Sequence, residues 1–263
     1  MKQNRNKPKL GQHFLKDENV KKIILETVKK LKCKNIIEIG PGDGSITNDL
    51  IDMSSNYLGI EYDQSLYNKL STKYRKNINV NFINEDAGLL RTDTLKSFFK
   101  SQYILVGNLP YYASNKIVRN FISSDFKPKN LIIMVQKEVA DSYLCKPPKM
   151  KFLSNSIQIY ADTELIVNVD PESFDPMPNV KSSVICLNLK PFDMIPKNPE
   201  KIINTIKNGF DSPRKKIRNS FTGIKKDKIE KILIDLNLDL NLRPGNLTLE
   251  NWEQIHNSIN NEN

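Results

Sequence analysis

From Asn35 onward, short apolar runs alternate with stretches of helical periodicity, and this alternation restricts the fold more than any other feature of the 263 residues. Residues 35–40 (NIIEIG), 57–62 (YLGIEY), 79–83, 103–106 and 130–135 (NLIIMV) read as strands. Residues 46–53, 66–74 and 115–122 read as helices between them, with another near 137–144. Strands that are apolar along their whole length need cover on both faces, and helices returning between them provide it. The expected fold class is therefore α/β, with a doubly wound, mostly parallel sheet. Residues 156–169 and 181–190 alternate apolar and polar side chains, as half-buried antiparallel strands do, and could close one edge of that sheet.

Around this core the chain changes character twice. Lys2, Arg5, Lys7 and Lys9 stand among the first ten residues without an acid, which reads as a flexible basic arm. Val20, Ile23, Ile24, Thr27, Val28 and Leu31 then recur at helical spacing, with Asp17 placed as an N-cap. At the other end, residues 191–199 (PFDMIPKNP) hold three prolines and read as a linker. Beyond it only helical patterns occur, at 201–209, 226–236 and 248–256, with a basic turn at 214–218 and an asparagine-rich tail that reads as disordered. The expected division is residues 1–190 as one α/β domain, 191–199 as linker and 200–263 as a small all-helical domain.

Composition removes several chemistries. The two histidines, His13 and His256, and the three distant cysteines, Cys33, Cys145 and Cys186, leave no spacing for a zinc site or a histidine-based triad, so no metal is expected. The polar, basic start is unlike a secretory signal, and no apolar run approaches the roughly 18 residues of a membrane span. A cytoplasmic, monomeric protein is expected. The net charge of +10 points to a polyanionic partner, of which nucleic acid is the commonest.

Glu38-Ile39-Gly40-Pro41-Gly42-Asp43-Gly44 ends the first strand of the alternating region and starts a helix. Glycines there let the backbone turn sharply and come close to a ligand. Glu61 ends the next strand, where an acid can accept two ribose hydroxyls, and Glu85-Asp86-Ala87 ends the third. The G-x-G-x-G spacing and the acid Asp43 in the turn disfavour a pyrophosphate. S-adenosylmethionine has the ribose and the adenine, lacks phosphate, and carries a positive sulfonium.

Gly107-Asn108-Leu109-Pro110-Tyr111 ends the fourth strand on the same edge. An exocyclic adenine amine is a poor nucleophile because its lone pair is delocalised into the ring. The Asn108 amide oxygen and the Leu109 carbonyl, held by Pro110, could accept its two hydrogens and aim the lone pair, while Tyr111 stacks on the base. Tyr112 has no assigned task.

Further motifs complete a resemblance. Gly11-Gln12-His13-Phe14-Leu15, EIGPGDGSIT (38–47), IEYD, EDA, GNLPYYAS (107–114), MVQKEVA (134–140), FDPMPNVKS (174–182), RKKIRN (214–219) and RPGNLT (243–248) occur in one order over nearly the whole chain. Together they resemble the ribosomal RNA adenine N6,N6-dimethyltransferase family, in its small-subunit type. The resemblance implies a Rossmann-like class I S-adenosylmethionine-dependent methyltransferase domain with a small C-terminal helical domain. It implies cofactor contacts at His13, Leu15, Gly40, Gly42, Glu61, Asp86 and Asn108, and a catalytic set of Asn108, Leu109, Pro110 and Tyr111, with Phe174 stacking on the target base opposite Tyr111. The implied substrate is a pair of adjacent adenines in the 3′-terminal hairpin loop of small-subunit rRNA, within the immature 30S subunit. Arg214, Lys215, Lys216 and Arg218 would track phosphates. His13 stands where Asn is commoner in the family, though both can donate to a carboxylate, and Tyr112 stands where many members have Asn. Two alternatives stay open: the related large-subunit methyltransferases of macrolide resistance, against which MVQKEVA and the helical tail argue, and a non-catalytic assembly factor on the same fold.

Overall fold

The computed structural model describes residues 12–261, so the basic arm and the last two residues lie outside the described residues. In chain order the elements are β1 (Phe14–Leu15), α1 (Glu18–Lys30), β2 (Asn35–Ile39), α2 (Thr47–Met53), β3 (Asn56–Ile60), α3 (Gln64–Lys73), β4 (Val80–Ile83), α4 (Thr92–Phe98), β5 (Ile104–Asn108) and α5 (Ser114–Ile122). There follow β6 (Asn130–Gln136), α6 (Lys137–Leu144), α7 (Phe152–Gln158), β7 (Ala161–Val169), β8 (Phe174–Asp175), β9 (Ser182–Leu189), α8 (Pro199–Gly209), α9 (Lys226–Asp235) and α10 (Leu249–Asn261). Contacts group the chain into two compact units.

The first unit holds the described residues through Ala140 together with Asp162–Leu189. Its seven-stranded sheet has the order β4-β3-β2-β5-β6-β9-β7. Pairing is parallel from β4 through β6, and β9 joins β6 antiparallel. β2, β5 and β6 are buried almost end to end, as strands covered on both faces must be. α1 shows how local and tertiary preferences agree. The Asp17 carboxylate accepts from the backbone N–H groups of Asn19 and Val20, Lys29 and Lys30 sit in the last turn where the helix dipole favours them, and Val20, Ile24 and Val28 fall on one buried stripe. Each such side chain, fully buried, stabilises by about 1.5–3 kcal/mol.

The second unit holds Asp141–Ala161 and the described residues from Lys190 onward. Ile202, Ile203 and Ile206 of α8, Ile229, Ile232 and Leu233 of α9, and Trp252 and Ile255 of α10 form its buried apolar set. The Trp252 ring lies so close to Gly209 that a Cβ there would come within 2.4 Å of it.

Three expectations need correction, and one helix was not foreseen. Residues 156–169 are not one strand. Their first part belongs to α7, whose opening turn is closed when the Lys151 N–H donates to Ser154 Oγ and Asn155 Nδ2 donates to the Lys151 carbonyl. Asp141–Ala161 groups with the C-terminal helices, not with residues 1–190. Tyr160 donates to Glu200 at 2.8 Å and the Met150 N–H to the Gly245 carbonyl at 3.0 Å, ties that span too much sequence for periodicity to reveal. The asparagine-rich tail continues α10 as far as Asn261. The helix α4 was missed because it buries one residue, Leu95, and one position makes no pattern. Among the described residues no helix is long and apolar enough to cross a membrane.

Candidate active site

The strand order reverses between β2 and β5, and at such a point the carboxyl ends of neighbouring strands open a crevice. The register pairs Ile39 with Gly107, which sets Gly40 beside Asn108. Gly40 has φ +63°, and Gly42 φ +62°, a conformation that L side chains rarely adopt. At Gly42 space is short as well, since a Cβ would meet the Phe14 ring at 3.0 Å. The turn therefore presents bare backbone to the crevice.

Of the carboxylates along this edge, Glu61, Asp86 and Glu38 differ most in setting. Glu61 follows β3 and is 5% exposed. Its Oε2 accepts the Gly42 N–H at 3.0 Å and its Oε1 the Asp63 N–H at 2.9 Å. Burial raises its pKa, and those backbone donors oppose the rise. Asp86 is more open: Oδ1 accepts the Gly88 N–H at 2.7 Å and Oδ2 pairs with Lys116 Nζ at 3.1 Å. Glu38, within β2, is buried beneath the turn, where its Oε2 accepts from Thr47 Oγ1 at 2.8 Å and from the Tyr57 hydroxyl. Burial pushes the Glu38 carboxyl up to about 7 in spite of these two donors.

The loop after β5 is tied on every side. The Leu109 N–H donates to the Met134 carbonyl at 3.1 Å, and the Ala113 N–H to the Pro110 carbonyl at 3.0 Å. Asn108 Nδ2 donates to the His13 carbonyl at 2.9 Å, which fixes the sense of the amide and leaves Oδ1 as its acceptor end. The Tyr111 ring stacks on His13 with centroids 5.8 Å apart, and its hydroxyl is 2.8 Å from Ser182 Oγ. Burial raises the Tyr111 pKa, so the phenol stays neutral and serves as an apolar face.

One cavity of about 590 Å³ collects His13, Leu15, Gly40, Gly42, Glu61, Asp86, Asn108, Leu109, Pro110 and Tyr111 in its walls, together with Glu38 and Tyr112. That volume lies in the range of small-molecule sites. Two expected site residues are elsewhere. Phe174 is 1% exposed, registers with Leu15 in the short β1–β8 ribbon, and belongs to the core. A ring so buried has no free face for a base, so the stacking expected of Phe174 is not available in this structure. Arg218 is half-buried and donates to Glu230 at 2.8 Å, so its charge is spent inside the second unit. Arg214, Lys215 and Lys216 are exposed.

His13 also differs from expectation. Its Nδ1 lies 2.7 Å from the Pro176 carbonyl, which can only accept, so Nδ1 carries the proton. A neutral His13 then offers Nε2 as an acceptor, and becomes a second donor only as imidazolium. Sequence reasoning missed three supporting residues: Ser182, which tethers Tyr111; Lys116, which pairs with Asp86; and the buried acid Glu38. Glu38 had a visible signal, an acid flanked by isoleucines in an apolar strand, and Ser182 ends the FDPMPNVKS motif; Lys116 stood in no motif.

The residues present fit a nucleoside cofactor without phosphate. Glu61 and Asp86 can accept from hydroxyls and an amine, the backbone at Gly40 and Gly42 is open to close approach, and the turn carries the acid Asp43 with no basic residue. Fold and site together define a Rossmann-like S-adenosylmethionine-dependent methyltransferase. The sequence model of the family described as "Ribosomal RNA adenine dimethylase" matches residues 3–261, and the chain belongs to that family. It is 35% identical over 252 residues to "Ribosomal RNA small subunit methyltransferase A" of Mesomycoplasma hyopneumoniae, covering 95% of this chain and 94% of that protein. The protein of the same name from Clostridioides difficile is 33% identical over 264 residues, covering 95% of this chain and 90% of its own. A solved dimethyladenosine transferase from Plasmodium falciparum shares the fold with a TM-score of 0.78 at 20% identity, over 92% of this chain and 96% of that one.

Proposed function

We propose that this protein transfers methyl groups to N6 of two adjacent adenines in the 3′-terminal hairpin loop of small-subunit rRNA, acting on the immature small subunit in the cytoplasm as a monomer. The observation that carries the proposal is the placement of Asn108 beside Gly40 at the strand-order reversal, in one cavity with Glu61 and Asp86. The names of the relatives that match over nearly the whole chain favour the small subunit over the large one.

S-adenosylmethionine, when bound, supplies the electrophilic methyl group on its sulfonium. Glu61 would accept its ribose hydroxyls and Asp86 its adenine amine, and the backbone at Gly40 and Gly42 would let it approach. His13 and Leu15, in the same cavity wall, would contact it as well. At the target base, Asn108 Oδ1 and the Leu109 carbonyl accept the two amine hydrogens and turn the nitrogen lone pair out of conjugation. Pro110 holds that carbonyl, and Tyr111, braced by His13 and Ser182, provides the face against which the base lies. No strong base is required, because the proton is lost readily once the amine has become cationic. Taking a base from a loop costs least when it is already unpaired.

The test is transfer of labelled methyl to small subunits that lack the modification, with the modified bases mapped. The expected result is two dimethylated neighbouring adenines, and a drop of roughly 10²–10³-fold in turnover for Asn108→Ala, the scale on which one lost transition-state hydrogen bond acts. Label found only in large-subunit RNA, or full turnover by Asn108→Ala, would overturn the proposal.

A further inference from the structure

Tyr112 directly follows Tyr111 in the loop after β5, and the two differ in burial and partners. Tyr111 is half-buried, stacked on His13 and hydrogen-bonded to Ser182. Tyr112 is 73% exposed, yet it lines the same cavity. The turn that carries both is stiff. The Ala113 N–H closes it onto the Pro110 carbonyl, Ser114 Oγ donates to the Tyr111 carbonyl at 3.3 Å, and the Ile117 N–H continues from the Ala113 carbonyl into α5. A large ring is thus held at the cavity mouth on a rigid support, with most of its surface in water.

We infer that Tyr112 is a second stacking platform, which takes the nucleotide next to the adenine being methylated. The inference rests on the proposed RNA substrate and names the residue that holds its second base. Tyr111 and Tyr112 are consecutive residues and line the one cavity, so neighbouring bases of one strand can reach both rings. Exposed aromatic rings bind unpaired bases through their faces without reading sequence. With one ring for the base in the cavity and one for its neighbour, the loop RNA is gripped as a dinucleotide. Each adenine of a pair could then occupy either place in turn. An asparagine at this position has no face to offer, so the residue would strengthen RNA binding in this chain and leave the chemistry to Asn108.

The full-length protein, Tyr112→Ala and Tyr112→Phe should be compared on small subunits lacking the modification, with cofactor affinity measured separately by calorimetry. Loss of one base–ring stack should raise the KM for subunits roughly 5- to 150-fold in Tyr112→Ala. kcat at saturation and the cofactor Kd should stay within about twofold, and Tyr112→Phe should recover most of the lost affinity, because it keeps the ring. A KM for Tyr112→Ala within twofold of the wild type would overturn the stacking role while wild-type transfer upholds the substrate. A Tyr112→Phe protein as weak as Tyr112→Ala would also overturn it, by assigning the effect to the hydroxyl. Wild-type protein that labels no small subunit would remove the substrate and the stacking role together.

Discussion

Glu38 sits between Ile37 and Ile39 in a strand buried on both faces, and its carboxyl is held up to about 7 by that burial, against hydrogen bonds from Tyr57 and Thr47. The sign of the consequence follows from proton counting. Between the ordinary value of 4.5 and about 7, the native protein holds a proton that the unfolded chain has released. Stability is therefore full below the lower value and falls as pH rises through the window, by roughly 3 kcal/mol in all. Glu38→Gln keeps a neutral group with an acceptor for both donors. Its thermal midpoint should change less between pH 5 and pH 7.5 than that of the wild type. Parallel curves for the two proteins would show that Glu38 is ionised throughout. The same residue scale explains Gly42, where a positive φ and the nearby Phe14 ring both demand a missing side chain.

At the scale of elements, the basic segment after α8 divides into two kinds of residue. Arg214, Lys215 and Lys216 are exposed, whereas Arg218 pairs with Glu230 of α9 inside the second unit. Replacing the three exposed residues with Ala should weaken binding to small subunits and reduce the slope of log K against log salt by about 2–3, near one for each phosphate left without its cation. Arg218→Ala should leave that slope alone and cost about 1 kcal/mol of stability, because the half-buried Glu230 carboxylate loses its nearer cation and keeps Lys226 at 3.6 Å. Salt titrations of binding and denaturant unfolding separate the two effects. An unchanged slope in the triple variant would take this segment off the RNA surface.

For the whole molecule, the division into units sets what can be cut. Asp141–Ala161 is bonded to residues beyond Lys190, through Tyr160 to Glu200 and Met150 to Gly245. Deletion of Lys190–Asn263 should therefore leave this segment without its partners and open to protease, while the same segment in the full chain resists. Equal resistance in both would mean that residues 141–161 hold their structure alone.

Most of the sheet was legible because its strands and most of the helices between them show their own pattern, α4 with its one buried residue excepted. The site was legible for a related reason. Glycines, acids and the Asn-Leu-Pro-Tyr run all fall at strand ends, where local sequence marks the turn. Phe174, Arg218 and His13 were not legible in this way. What each does depends on partners far along the chain: Leu15 in the ribbon, Glu230 on another helix, and the Pro176 carbonyl. By itself the sequence determined the α/β class, the carboxyl edge that carries the chemistry, and the residue types on it. The tertiary structure alone decided the strand order that sets Gly40 beside Asn108, the burial of Phe174, and the membership of Asp141–Ala161. Periodicity reports how one segment meets its immediate surroundings, whereas strand order, desolvation and long-range hydrogen bonds depend on which distant segments come to share the same space.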